Sequence, residues 1–326
     1  MVERSASDAA LLASIRERVH ATLLVLLIAL RPLVWDGDPT QPANLAYLVL
    51  AVIAVSVVVI EGWAGSVSSW RWTFSGALFA LIVAALIPAC VRSPLPMEGG
   101  ALWLMLAVHL GLAFYLMQAL PGRERLAFAA LAAGLVGEVL VAHGQRLWVL
   151  PGMAAASANG EFAAIETVGG DLAERIANGG VYGTFTLANT FAAYLVLVVP
   201  PLLVSAWTRS ADRWSRAVVT LAAGLAAWSF VGASSKGAVL AIAIASSMGW
   251  VIVRRDRWRW LPLALVAVAL SALALRPALW EPMQASTRVR AGYWLGASTL
   301  IAERPIAGHG IGAFPTLAPA AMPLWA

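Results

Sequence analysis

The chain has 326 residues, 61% of them hydrophobic and only 12% charged, with a mean hydropathy of +0.80. Soluble domains carry about 25% charged residues, so composition excludes an ordinary soluble enzyme and points to a polytopic membrane protein whose natural unit is one helical bundle. The net charge of +5 comes from arginines lying between apolar runs, with Lys236 the sole lysine, a pattern of membrane topology and not of nucleic-acid binding; the single cysteine, Cys90, excludes an intramolecular disulfide and any multi-cysteine metal site.

Met1 to Arg18 is polar and mildly amphipathic, and no small-residue cleavage site follows the first apolar run, so residues 1–18 are expected as a cytoplasmic N-terminus before a retained helix. A crossing needs roughly 20 residues, and about nine runs approach that length. They are Val19 to Trp35, Ala43 to Ile60, Trp72 to Val91, Gly99 to Leu120, Arg125 to Ala142, Tyr182 to Trp207, Arg216 to Ala233, Gly237 to Val253 and Trp260 to Trp280. The expected fold is therefore all-α, a transmembrane bundle over residues 19–280. The Arg-Arg-Asp-Arg-Trp-Arg cluster at 254–259 anchors one short loop inside, which sets the N-terminus inside as well. Trp35, Trp70, Trp72, Trp207, Trp214, Trp258, Trp260 and Trp280 fall at run ends, where an indole sits at headgroup depth without any ligand.

Two outer segments exceed simple turns. Residues 143–181 form an expected periplasmic loop with helix formers from Ala158 to Ala177 and a stop at Asn178-Gly179-Gly180; residues 281–326 form an expected periplasmic C-terminal segment, basic first and Pro-rich later. Between the seventh and eighth runs only Ser234, Ser235 and Lys236 intervene, which demands a tight hairpin or one broken element. A lysine there belongs at the interface, as a snorkelling side chain or as a contact for an anion. Thr184 or Thr186 is placed to cap the helix that carries Asn189, and Pro200-Pro201 should kink or end it. Asn189 suits either a bond to a neighbouring helix or a substrate contact near the outer surface.

Polar chemistry concentrates from Ser286 to Phe314. Arg288 and Arg290 do not share a face if a helix begins near Ser286, whereas Arg290 and Trp294 are an i, i+4 pair able to stack. Arginine forks suit bidentate phosphate recognition. Arg304-Pro305 begins a turn, and Gly308-His309-Gly310-Ile311-Gly312 reads as flexible; without a preceding strand or a following helix pattern it is no nucleotide fingerprint. His309, between glycines beside the basic patch, is the candidate general base. Glu138 lies inside the fifth run, an intramembrane ionisable group and so a functional candidate with no partner close in sequence. His20, His109 and Cys90 read as packing residues, and His143 ends a membrane segment.

Gly183-Thr-Phe…Asn189…Ala192-Ala-Tyr-Leu, then Ser235-Lys236-Gly237-Ala, then Arg290…Tyr293-Trp294…Glu303-Arg304-Pro305…Gly308-His309-Gly310-Ile-Gly312-Ala-Phe314 resemble, in order and spacing, the O-antigen ligase and O-antigen polymerase family. The likeness covers about residues 180 to 314, within a ligase-like region over 182–326. It implies a multi-pass bacterial inner-membrane glycosyltransferase working at the periplasmic face on a polyprenyl-diphosphate-linked glycan, with the lipid bilayer as its other partner. No metal, cofactor or nucleic acid is implied.

Carried over by position, Lys236, Arg288, Arg290 and Arg304 would hold the diphosphate, while Asn189, Tyr293 and Trp294 would position substrate. Lys236 stands where the family usually has arginine, which keeps charge but loses the bidentate fork. The family pattern also implies a His-Asn motif and closing membrane helices beyond residue 314, which this chain of 326 residues does not contain. A fragment of an active enzyme and a degenerate, non-catalytic relative both fit that departure. A lipid or anion transporter is a further alternative, although no internal repeat supports it.

Overall fold

The computed structural model describes residues 2–34, 42–63, 74–159, 181–185, 187–208, 213–233, 235–253, 260–274, 277–306 and 308–322. These residues are overwhelmingly helical, and no strand occurs among them. In chain order the helices are α1 (Val2–Leu30), α2 (Pro42–Trp63), α3 (Phe74–Val91), α4 (Pro96–Ala119), α5 (Glu124–Gly144), α6 (Leu150–Ala158), α7 (Ala188–Thr208), α8 (Arg213–Gly232), α9 (Lys236–Val253), α10 (Leu261–Ala274), α11 (Pro277–Glu303) and α12 (Phe314–Ala321). Proline opens α2, α4 and α11, the one helical position where a missing N–H costs nothing.

Five described stretches are long and apolar enough to cross a membrane: Pro42–Glu61, Pro96–Ala119, Glu124–Ala156, Ala188–Trp207 and Arg213–Gly232. Two further apolar helices, Ala80–Val91 and Gly237–Met248, are shorter. The described fold is thus all-helical with five candidate membrane-spanning stretches, fewer among the described residues than the about nine runs of the sequence.

Several expected boundaries change. The fifth run does not stop at Ala142: a π turn at Gln145–Val149 joins α5 to α6, so residues expected as loop continue as helix to Ala158. The remainder of that loop, with its expected surface helix up to Ala177, lies outside the described residues. Pro200 and Pro201 do not end α7, which passes through both to Thr208. Of the ninth run, residues 275–276 lie outside the described residues, while α10 covers Leu261–Ala274 and α11 begins at Pro277. That helix includes the whole of Glu281 to Glu303, so the basic stretch is the second half of a long helix and not a turn-rich patch.

The chain forms two compact units, residues Met1–Leu50 with Leu116–Ser246, and residues Ala51–Tyr115 with Ser247–Ala326. In the first, α5 is the hub, packed on α1, α7 and α8. Small residues set those distances. A Cβ on Gly134 would stand 2.9 Å from Pro32 Cγ and 3.0 Å from the Ala29 carbonyl oxygen, and one on Gly137 would stand 2.9 Å from Leu33 Cδ2. Lipid tails are as apolar as leucine, so close backbone approach and dispersion, more than water exclusion, hold such helices together. The core contains Leu135, Val139, Phe191, Leu195 and Leu202 against Ala222 and Ala226, whereas Leu197, Val204, Leu221 and Val231 point outward.

Polar contacts then fix the ends. Tyr47 donates to the Leu27 carbonyl (3.2 Å) and its ring lies under the Arg31 guanidinium (5.6 Å). Leu120 to Arg123 is a hydrogen-bonded turn with Gly122 at φ +80°, where only glycine is unstrained. Arg123 closes α4 through the Ala119 carbonyl (2.8 Å) and pairs with Glu17 of α1, Nε to Oε1 at 2.8 Å.

In the second unit, Trp103 Nε1 donates to the Val83 carbonyl (3.4 Å), tying α4 to α3. The C-terminal helix α12 lies along α11, with Gly296 against Met322.

Substituting Gly134→Ala is expected to lower stability by about 1–3 kcal/mol, because backbone and proline atoms cannot yield to the new methyl group. Gly224→Ala, at a position with open space around it, is expected to be neutral or slightly stabilising. Thermal melts of the two variants in one detergent decide the point; equal melts would refute close packing at Gly134.

The Glu17 carboxyl is held below its usual range, chiefly by the hydrogen bond from Arg123. A depressed pKa stabilises the fold above the ordinary carboxylate range and loses that contribution as pH falls through the folded value. Acid titration of stability should therefore be shallower for Glu17→Gln than for the parent, with a difference at neutral pH of only about 0–1 kcal/mol because the pair is exposed.

Candidate functional site

The polar residues of the first unit gather where α5 ends. Glu138 is fully buried, a position an ionised group holds only with donors aimed at it. Those donors come from the segment Val181 to Phe185, 46 residues away in sequence. Thr184 N donates to Oε1 (2.8 Å) and Thr184 Oγ1 lies 3.0 Å from Oε2; the same hydroxyl also bonds to the Pro32 carbonyl. Gly183 has φ +61°, and a Cβ there would collide with the Glu138 carboxylate, so both conformation and space require glycine.

The π turn supplies the second brace. Gln145 spans the Gly183 peptide with both ends of its amide, Nε2 donating to the Gly183 carbonyl (2.5 Å) and Oε1 accepting from Gly183 N (2.8 Å). Val181 N donates to the Gly232 carbonyl (3.2 Å), which ties the same segment to the end of α8. Next along α5, His143 Nδ1 lies 2.8 Å from the Val139 carbonyl and 3.4 Å from Ser229 Oγ. A carbonyl only accepts, so Nδ1 carries the proton and Nε2 is the basic nitrogen. Arg146 lies over the Trp228 ring, 4.9 Å from its centroid.

Two sequence candidates belong to this unit. Asn189 sits in the first turn of α7 and is exposed, with no side-chain hydrogen bond among the described residues. Lys236 opens α9 after a short turn that contains the buried Ser235; its side chain lies outside the described residues.

The other candidates belong to the second unit. Arg288 and Arg290 are exposed on α11 and, two residues apart, point to different faces. Arg290 and Trp294 do not stack, and Trp294 is 76% exposed. Tyr293 meets Phe314 edge-on with ring centroids 6.2 Å apart, joining α11 to the start of α12. Arg304 is exposed just past α11, its carbonyl accepting from Gly308 N (3.0 Å).

The glycine-spaced segment is more specific than flexible. Gly308, Gly310 and Gly312 have φ of +62°, +102° and +77°. A Cβ on Gly310 would lie 2.6 Å from Ser93 backbone atoms, and Ile311 N donates to the Ala89 carbonyl (2.9 Å), so the loop is pressed onto the end of α3. A helix, α12, does follow it, contrary to the sequence pattern. His309 Nε2 faces the Leu300 carbonyl (3.1 Å) and Glu303 Oε2 (3.3 Å), which leaves Nδ1 as its basic nitrogen.

A cleft of about 920 Å³ opens in the first unit near the start of α5, walled by Phe128, Val136 and Leu202 with Arg125, Ser205 and Trp214 among its polar and aromatic lining. Its apolar walls match a lipid tail or similar chain in character. Among the described residues no cluster of three or more His, Cys, Asp or Glu is arranged to hold a metal ion.

Comparisons with protein families, with curated proteins and with solved structures found no match to this chain. Function therefore rests on the residues themselves. Sequence reading missed Gln145, Arg146, Trp228 and the tautomer of His143. The advance signals were Glu138 and the Gly183-Thr184 pair, whose meeting across 46 residues no local pattern announced.

Removing the acceptor by Glu138→Ala leaves the Thr184 donors stranded and should cost about 1–3 kcal/mol. Gly183→Ala should act in the same direction. Hydrogen exchange across 181–185 is the readout, with faster exchange expected in both variants; protection unchanged from the parent would show that Glu138 does not hold the segment.

Proposed function

We propose that the chain is a glycosyltransferase-type ligase or polymerase that moves a glycan from a polyprenyl-diphosphate carrier to a hydroxyl of a saccharide, lipid or protein acceptor. Its place is then the periplasmic face of a bacterial inner membrane. The observation that carries this reading is that glycines of two motifs shared in resemblance, Gly183 and Gly308/Gly310/Gly312, all occupy left-handed backbone positions in built polar or tightly packed segments. Motif glycines demanded by local geometry support a shared architecture better than glycines in slack loops would.

The chemistry is a displacement at the anomeric carbon. The acceptor O–H gives its proton to a base as its oxygen forms the new glycosidic bond, and the bond from C1 to the diphosphate breaks with its electron pair departing on the diphosphate oxygen. His309 supplies Nδ1 as base, oriented by Glu303 and the Leu300 carbonyl. The departing diphosphate takes guanidinium charge from Arg288 or Arg290, which are exposed on different faces of α11. Tyr293 and Trp294 add aromatic surface beside them.

Glycan transfer in membranes should fall about 10²- to 10⁴-fold in His309→Ala and be abolished in Arg290→Ala, with membrane insertion and amount unchanged. Normal transfer by Arg290→Ala would count against the assignment.

A further inference from the structure

The residue least accounted for is Arg146. It lies on the first turn past α5, where the π turn widens the helix and turns Gln145 onto Gly183 and Arg146 onto Trp228. Gly232 makes room for it, since a Cβ there would stand 2.8 Å from Nη1. The guanidinium is therefore fixed by stacking and shape. Among the described residues it makes no hydrogen bond or ion pair, and the side chain is half-buried. A half-buried guanidinium fork fixed in this way is matched by an oxyanion with two acceptors, above all a phosphoryl group.

One turn earlier, His143 has Ser229 Oγ beside its ring. Glu138, the buried carboxylate of this unit, is occupied by Thr184.

The geometry points to Arg146, stacked on Trp228, as the centre of a site for a phosphoryl oxyanion within the first unit. This site does not rest on the proposed function. The binding itself does not require glycan transfer.

The test is calorimetric titration of the full chain in nanodiscs with farnesyl diphosphate, inorganic pyrophosphate and farnesol. Farnesyl diphosphate should bind, and Arg146→Ala should weaken it about 10- to 100-fold, while Arg146→Lys, with charge but no fork, should fall between. Trp228→Phe, keeping an aromatic face, should bind nearly as the parent does. Pyrophosphate binding as tightly as farnesyl diphosphate would assign the site to a free phosphate, and weaker binding to a lipid-linked one; Arg146 dependence in either arm supports the site.

Failure of the parent to bind either anion, or equal binding by parent and Arg146→Ala with matching melting curves, overturns it. If Arg146→Ala is unstable, Arg146→Gln provides the neutral variant of similar size. Glycan transfer measured in parallel separates the two ideas. Transfer with Arg146-independent binding sinks this site alone, whereas Arg146-dependent binding without transfer by the parent sinks the enzymatic reading alone.

Discussion

A carboxylate with no exposed surface inside a membrane helix is the constraint on which the first unit depends. Glu138 has no exposed surface, so the chain must bring partners to it: Thr184 N donates to Oε1, and Thr184 Oγ1, whose one hydrogen is shared with the Pro32 carbonyl, lies 3.0 Å from Oε2. That requirement propagates outward. The donor arrives only if Gly183 adopts a left-handed conformation without a side chain, and Gln145 in turn holds the Gly183 peptide from the other side. One buried carboxyl group thereby specifies a glycine and a threonine on one stretch and a helix irregularity on another. Polar groups in a low-dielectric interior commonly act this way, contributing specificity of arrangement more than net stability.

The helical membrane class was legible at once, because runs of roughly 20 apolar residues have no alternative to helix in lipid. Helix ends were less so. Hydropathy falls at His143-Gly144-Gln145-Arg146, which reads as the end of a span, yet the backbone stays helical because neither a proline nor a left-handed glycine stops it there.

Within the candidate site, residue types were readable and their pairing was not. His309 is positioned by Leu300 and Glu303, nearby residues on the same helix end, so local pattern came close to it. Glu138 with Thr184, and Arg146 with Trp228, join positions separated by 46 and 82 residues, and no local period encodes such meetings. The glycine-spaced loop shows the same limit from the other side: spacing revealed the glycines, whereas the reason for them is the backbone of Ser93 pressed against Gly310.

The π turn at Gln145–Val149 carries one residue more than an α-helical turn would. In a helix of 3.6 residues per turn one residue is about 100° of rotation, so α6 is out of phase with α5 by roughly that angle. The apolar stripe that α5 buries against α7 and α8 is picked up again in a shifted register by Leu150 at the start of α6, while Leu147 and Trp148 within the π turn are left 61% and 74% exposed. A single surplus residue thus lets one continuous rod put Gln145 onto the Gly183 segment and still return an apolar side chain to the core at Leu150.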